Sequence, residues 1–203
     1  VEVIEDEATE DIYALANLSA DSDLDVFSPV SMMITRRLPW LYVNLGTAFL
    51  SAFVISRFEA TIAKIAVLAV FQSVVAGLGG NAGTQALAIM VRGLALKQLE
   101  FRHIWRALGR ELVIGMLHGL AIGIAVAGIV YLWRGNPLLG LIIGLATFGN
   151  LLVAGVMGTL VPLTLKHFHQ DPALASSILV TGITDVIGFA LFLGLATLYL
   201  PYL

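Results

Sequence analysis

Along this chain the apolar residues gather into long runs, and nearly all the charged residues fall outside them. A helix that crosses about 30 Å of hydrocarbon needs roughly 20 such residues. Five runs qualify: Leu38 to Ser56, Ile62 to Met90, Leu112 to Trp133, Leu138 to Leu165 and Ala173 to Leu200. They predict an all-α membrane protein with five transmembrane helices, over residues 37–203. Residues 1–36 read differently. EDEATEDIYALA is built of good helix formers, and SADSDLDVFSP, Ser19 to Pro29, reads as a loop ahead of the first span.

Composition supports the membrane reading. With 59% hydrophobic and 12% charged residues and a mean hydropathy of +0.93, the chain is more apolar than a soluble domain. The net charge of −3 hides an uneven distribution, because nine of the fourteen acidic residues lie in the first 25 positions. No nucleic-acid partner is expected of this charge balance. Cysteine is absent, which excludes a disulfide framework and thiolate metal sites. The start at Val1, with acids where a secretion signal would need bases, predicts further chain upstream.

Basic residues then orient the spans, because Lys and Arg near span ends favour the cytoplasm. With the N-terminus inside, eight of the eleven bases (Arg36, Arg37, Arg92, Lys97, Arg102, Arg106, Arg110 and Lys166) fall on the inner side. Arg57, Lys64 and Arg134 fall outside. The C-terminus is then outside, in a cell membrane, with lipid around the bundle. The short connection WRGNP is outer and the long RGLALKQLEFRHIWRALGRE inner.

Polar groups deep in the spans carry the candidate chemistry. In GLGGNAGTQ, Gly77 to Gln85, glycines flank Asn81. They are expected to loosen the helix, and freed carbonyls at membrane depth are tolerated mainly where they line a cavity. Gly80 and Asn81 are therefore expected to line a pore. Asn150, in FGNLLVAG, is a second candidate, and Pro162 later in that span predicts a kink. The third is Asp185, with Ser177, Thr181 and Gly188 at helical spacing on one face. An aspartate at the bilayer centre costs on the order of 2.5 to 3.5 kcal/mol and usually faces a cavity or pathway. At about 1.5 Å per residue, Asp185 lies roughly 20 Å from Pro172, Asn81 roughly 16 Å from Arg92 and Asn150 roughly 24 Å from Lys166, so one mid-membrane layer accommodates all three.

Other features have plainer readings. Gly115, Gly119 and Gly123 let a second helix approach the third span closely. His118 among them suits an interhelical hydrogen bond. Asp171 and Pro172 form an N-cap and first-turn pair for the last span. His167 and His169 suit a solvated or capping role. The acidic lead is either a solvated helix or a divalent-cation site.

GGNAGTQALAIMVRGLA, FGNLLVAGVMGTLVPLTL, DPALASSILVTGITDVIG and EDEATEDIYALA, in this order and spacing, resemble the MgtE family of magnesium channels over essentially the whole chain. The resemblance implies a homodimer of five-span subunits, with a pore on the two-fold axis lined by the second and last spans. It implies that Asp185 binds the ion. It also implies a cytosolic region with paired CBS modules ahead of an acidic connecting helix. Glu2, Glu7, Glu10 and Asp11 would then match acidic positions that hold regulatory magnesium against those modules, so the regulatory sites are incomplete here and gating by internal magnesium should be weakened. Ser177 departs from relatives that carry a carboxamide eight residues before the pore aspartate.

A pair of Asp185 carboxylates facing each other would repel, and a dication satisfies both. Magnesium gives up water reluctantly, so a hydrated or partly hydrated Mg2+ is the expected occupant, with Mn2+, Co2+ or Ni2+ as surrogates. Asn81, Asn150 and Thr181 are expected to bind its waters. A proton- or sodium-coupled divalent cation carrier is the nearest rival, since a lone intramembrane aspartate also suits a proton relay. A non-transporting membrane scaffold is a further alternative. No enzyme is expected. Aspartyl proteolysis needs two aspartates sharing a site, and no nucleophile motif pairs with His118.

Overall fold

The computed structural model describes residues 27–96, 98, 103–168 and 172–202, with 172–175 described by backbone alone. Among the described residues, six α-helices are ordered α1 (Val30–Ser56), α2 (Glu59–Lys64), α3 (Val67–Ala95), α4 (Ile104–Arg134), α5 (Pro137–His167) and α6 (Pro172–Leu198), with a 3-10 turn at Leu200–Tyr202. Among the described residues, five of these helices are long and apolar enough to cross a membrane, as the runs predict. The acidic lead and Asp171 with its capping role lie outside the described residues, as does His169.

Span edges differ from the expectation in three places, one of them the third span, which begins at Ile104, not Leu112. The first helix begins at Val30, not Leu38, and takes in Arg36 and Arg37. The second expected span, from Ile62, is broken at Ile65, whose φ of −131° and ψ of 76° leave the helical region. The reason lies in RFEATIAK: Arg57, Glu59 and Lys64 cannot enter hydrocarbon cheaply, so this segment forms the short α2. Thr61 on its buried side shares a 2.8 Å hydroxyl hydrogen bond with Thr197 near the end of α6.

The α4–α5 connection is a tight reversal. Gly135 closes α4 in the left-handed region at φ 69°, where a side chain would be strained. The Asn136 side chain then accepts hydrogen bonds from the Leu138 and Leu139 amides at 3.0 and 3.1 Å. Pro137 starts α5 with its φ already fixed.

Helix α5 is central and packs against α3, α4 and α6; α1 packs on α6. At the end near the α4–α5 turn the core is made of large side chains, including Leu68 and Phe71 of α3, Ile142 and Ile143 of α5 and Phe192 and Leu193 of α6. Elsewhere small residues bring backbones together, which is how helices associate where lipid removes the hydrophobic drive. Gly115, Gly119 and Gly123 of α4 meet the backbone of α5: Cβ atoms there would lie 3.2 Å from the Leu151 oxygen, 3.0 Å from that of Phe148 and 2.8 Å from that of Gly144. The expected close approach is therefore present, and its partner is the fourth span. Leu117, Ile124, Leu132 and other large side chains of α4 are exposed on its far face, as suits contact with lipid.

Candidate functional site

Helices α3 and α6 run antiparallel across the middle of the molecule. The level of each pair of residues follows from close contacts. A Cβ on Gly83 would lie 2.5 Å from Val180 Cγ1, and one on Gly80 would lie 3.7 Å from Thr181 Cγ2. Nearer the far end, Thr61 meets Thr197. Asp185, one turn beyond Thr181, is thus level with the turn of α3 that precedes Gly80.

GLGGNAGTQ is continuous helix from Val67 to Ala95. The expectation that its glycines loosen the backbone is corrected: they serve packing instead. Gly79 and Gly83 are buried against α5 and α6, where each makes room for a side chain of the facing helix, Asn150 at Gly79 and Val180 at Gly83.

Asn150 explains the most demanding of these contacts. Its side chain has no exposed surface and is held between Gly79 of α3 and Gly188 of α6. A Cβ on Gly79 would collide with Asn150 Nδ2, and one on Gly188 would lie 2.6 Å from that atom. Nδ2 donates to the Val75 carbonyl at 2.9 Å, while Oδ1 is buried without a partner among the described residues. Asn150 therefore does not face an open surface. The reason is geometric: α5 is the central helix, so its inward polar group joins helices and does not meet water.

Asp185 differs. It is half-buried, and among the described residues no hydrogen bond or ion pair reaches its carboxylate. Thr181 is also half-buried, but its hydroxyl donates within α6, to the Ser177 carbonyl at 2.8 Å and that of Ile178 at 3.2 Å. Ser177 is half-buried beside it. Across on α3, Ser73, Gly77 and Asn81 are all exposed, and their four-residue spacing puts them on one face. Gly80 sits at the edge of that face, against Thr181. So Gly80 and Thr181 meet, Asp185 follows one turn along α6 from that contact, Asn81 is next to Gly80 in α3, and Asn150 lies between Gly79 and Gly188.

Two residues carry more than their place in the sequence suggests. Gly188 reads as part of a polar face, whereas its function is to admit Asn150. Glu111 is buried at 6% exposure in α4. The sequence holds a signal for it, since it lies seven residues from His118 on one helical face. His118 itself is exposed and makes no hydrogen bond among the described residues, contrary to the expected interhelical bond. Among the described residues no three His, Cys, Asp or Glu side chains converge.

Comparison with known proteins gives the family. The MgtE family profile, described as a divalent cation transporter, matches residues 72–195, from the polar face of α3 to the end of α6. The chain is 32% identical to the magnesium transporter MgtE of Bacillus subtilis over 200 residues, covering 98% of this chain and 44% of the relative. It is also 32% identical to that of Enterococcus faecalis over 202 residues, covering 100% of this chain and 44% of the relative. The same identity, 32% over 201 residues, relates it to that of Thermus thermophilus, covering 98% and 44%. It spans less than half the length of these curated relatives. With the profile covering more than half of it, the chain belongs to the MgtE family.

Proposed function

We propose that this chain forms the membrane pore of a magnesium transporter and that Asp185 from two subunits holds the ion on a shared two-fold axis. The observation that carries the reading is a carboxylate in mid-span, half-buried and without a partner among the described residues. Such a group is costly in a bilayer unless it faces water or a cation. The exposed row Ser73, Gly77 and Asn81 supports it, because small and polar residues on a membrane helix mark a helix interface or an aqueous path.

The chemistry follows from the charges. Two Asp185 carboxylates brought face to face repel each other. One dication removes that repulsion and matches their combined charge. Mg2+ retains much of its octahedral water shell, so a wide polar ring suits it better than a close-fitting cage. Asn81 and Thr181, with the backbone at Gly80, would hydrogen-bond those waters, and Ser177 would line the same path one turn away. Asn150 sets the spacing of α3 and α6. Mn2+, Co2+ and Ni2+ would enter the same ring as surrogates. Glu2, Glu7, Glu10 and Asp11 would belong to a regulatory contact with a cytosolic region of the kind that the relatives' additional length can hold.

The test replaces Asp185 with Asn in the full-length protein, keeping shape and removing charge. Magnesium-dependent growth of a host lacking its own uptake systems should then be lost; undiminished rescue would sink the proposed role. Uptake that persists only with a proton gradient would favour a coupled carrier instead.

A further inference from the structure

A second polar site lies away from Asp185, in a cavity of about 90 Å³ between α3, α4 and α5. Gln85 of α3 and Glu111 and His118 of α4 line it, with Gly115 and Gly155 opening its floor. Glu111 is 94% buried by its 6% exposure, yet no hydrogen bond or ion pair reaches its carboxylate among the described residues. Its Oε2 faces Gly155, where a Cβ would come within 3.7 Å. His118 and the exposed Arg110 are within electrostatic range of the carboxylate, and His118 borders the cavity from two turns further along α4.

We infer that this cavity is a transition-metal site, in which Glu111, His118 and the Gln85 carboxamide hold a dication such as Zn2+ between α3 and α4. Three arguments carry the assignment. A buried carboxylate needs a counter-charge or a donor set, and the described residues supply neither in contact. The donors are one carboxylate, one imidazole and one carboxamide oxygen. Imidazole favours zinc, copper, cobalt or nickel over magnesium, which prefers oxygen and water. The volume also fits. A water occupies roughly 30 Å³ of liquid, so the cavity accommodates an ion with one or two waters completing its shell. Ile114 and Gly115, midway between Glu111 and His118 on α4, line the cavity between them. An ion here would tie α4 to α3 one turn from Asn81, and so act on the proposed pore helix without entering the pore. The site itself stands independently of the role given to Asp185.

The test is zinc binding to the full-length protein in detergent, with any affinity tag removed and Mg2+ in large excess to occupy hard-oxygen sites. Titration calorimetry should show one Zn2+ per subunit. His118→Ala and Glu111→Gln should each weaken it by at least about tenfold, within the range seen when groups around a metal are removed. Asp185→Asn should leave it unchanged. His118 is exposed, so its variant decides the matter even if Glu111→Gln fails to fold. Absence of zinc binding, binding indifferent to His118→Ala, or loss of binding in Asp185→Asn would each overturn the assignment.

Discussion

Substituting Gly79 with Ala should loosen the contact between α3, α5 and α6, and the structure sets the size of the effect. The added methyl would collide with Asn150 Nδ2 and lie 2.7 Å from Cγ. Asn150 cannot retreat, because Gly188 bounds it on the other side at 2.6 Å from an ideal Cβ. Overpacking of this kind costs about 1 to 3 kcal/mol. Displacing the amide also breaks its hydrogen bond to the Val75 carbonyl, and interhelical bonds in membranes average about 0.6 kcal/mol. Gly128 of α4 has nothing within 4 Å of its ideal Cβ and serves as the control, since both changes gain the same helix propensity. The two variants should then differ by roughly 1.6 to 3.6 kcal/mol in unfolding free energy. Reversible unfolding in mixed detergent micelles measures this. Adding Asn150→Ala should rescue Gly79→Ala, bringing its effect below about 1 kcal/mol. Equal stabilities for Gly79→Ala and Gly128→Ala, or no rescue, would refute the wedge.

Two further outcomes follow from local geometry. Asn136→Ala removes an acceptor for both the Leu138 and Leu139 amides and should lower stability by about 1 kcal/mol in the same unfolding assay. Gly182→Ala places a methyl 2.8 Å from Thr47 Cβ. It should loosen α1 from α6 and speed proteolysis after Ser56, while the α3–α5–α6 core keeps its own melting transition.

The number of spans is legible in the sequence because hydrocarbon thickness fixes run length. Span edges are less so: hydropathy counts Ile62 as membrane, while Arg57, Glu59 and Lys64 decide that α2 is separate. The glycine triplet of α4 announces a close contact but not its partner, since nothing local says which helix comes near. Asp185 is legible because a lone carboxylate in an apolar run has few inexpensive explanations. Asn150 reads correctly as deep and incorrectly as facing an open path, because only the centrality of α5 reveals which way it points. Glu111 escapes notice because it lies near a basic segment, where one-dimensional reading takes a charge as solvated. Its burial depends on α5 crossing at Gly155.

The central claim is that Asp185 acts through its charge on a passing dication. Its most direct test is Mg2+ flux into liposomes containing the full-length protein, comparing wild type with Asp185→Asn and Asp185→Glu. Flux should vanish in the Asn variant and persist at a reduced rate in the Glu variant, which retains the charge on a longer stem. Wild-type flux through Asp185→Asn would contradict the account.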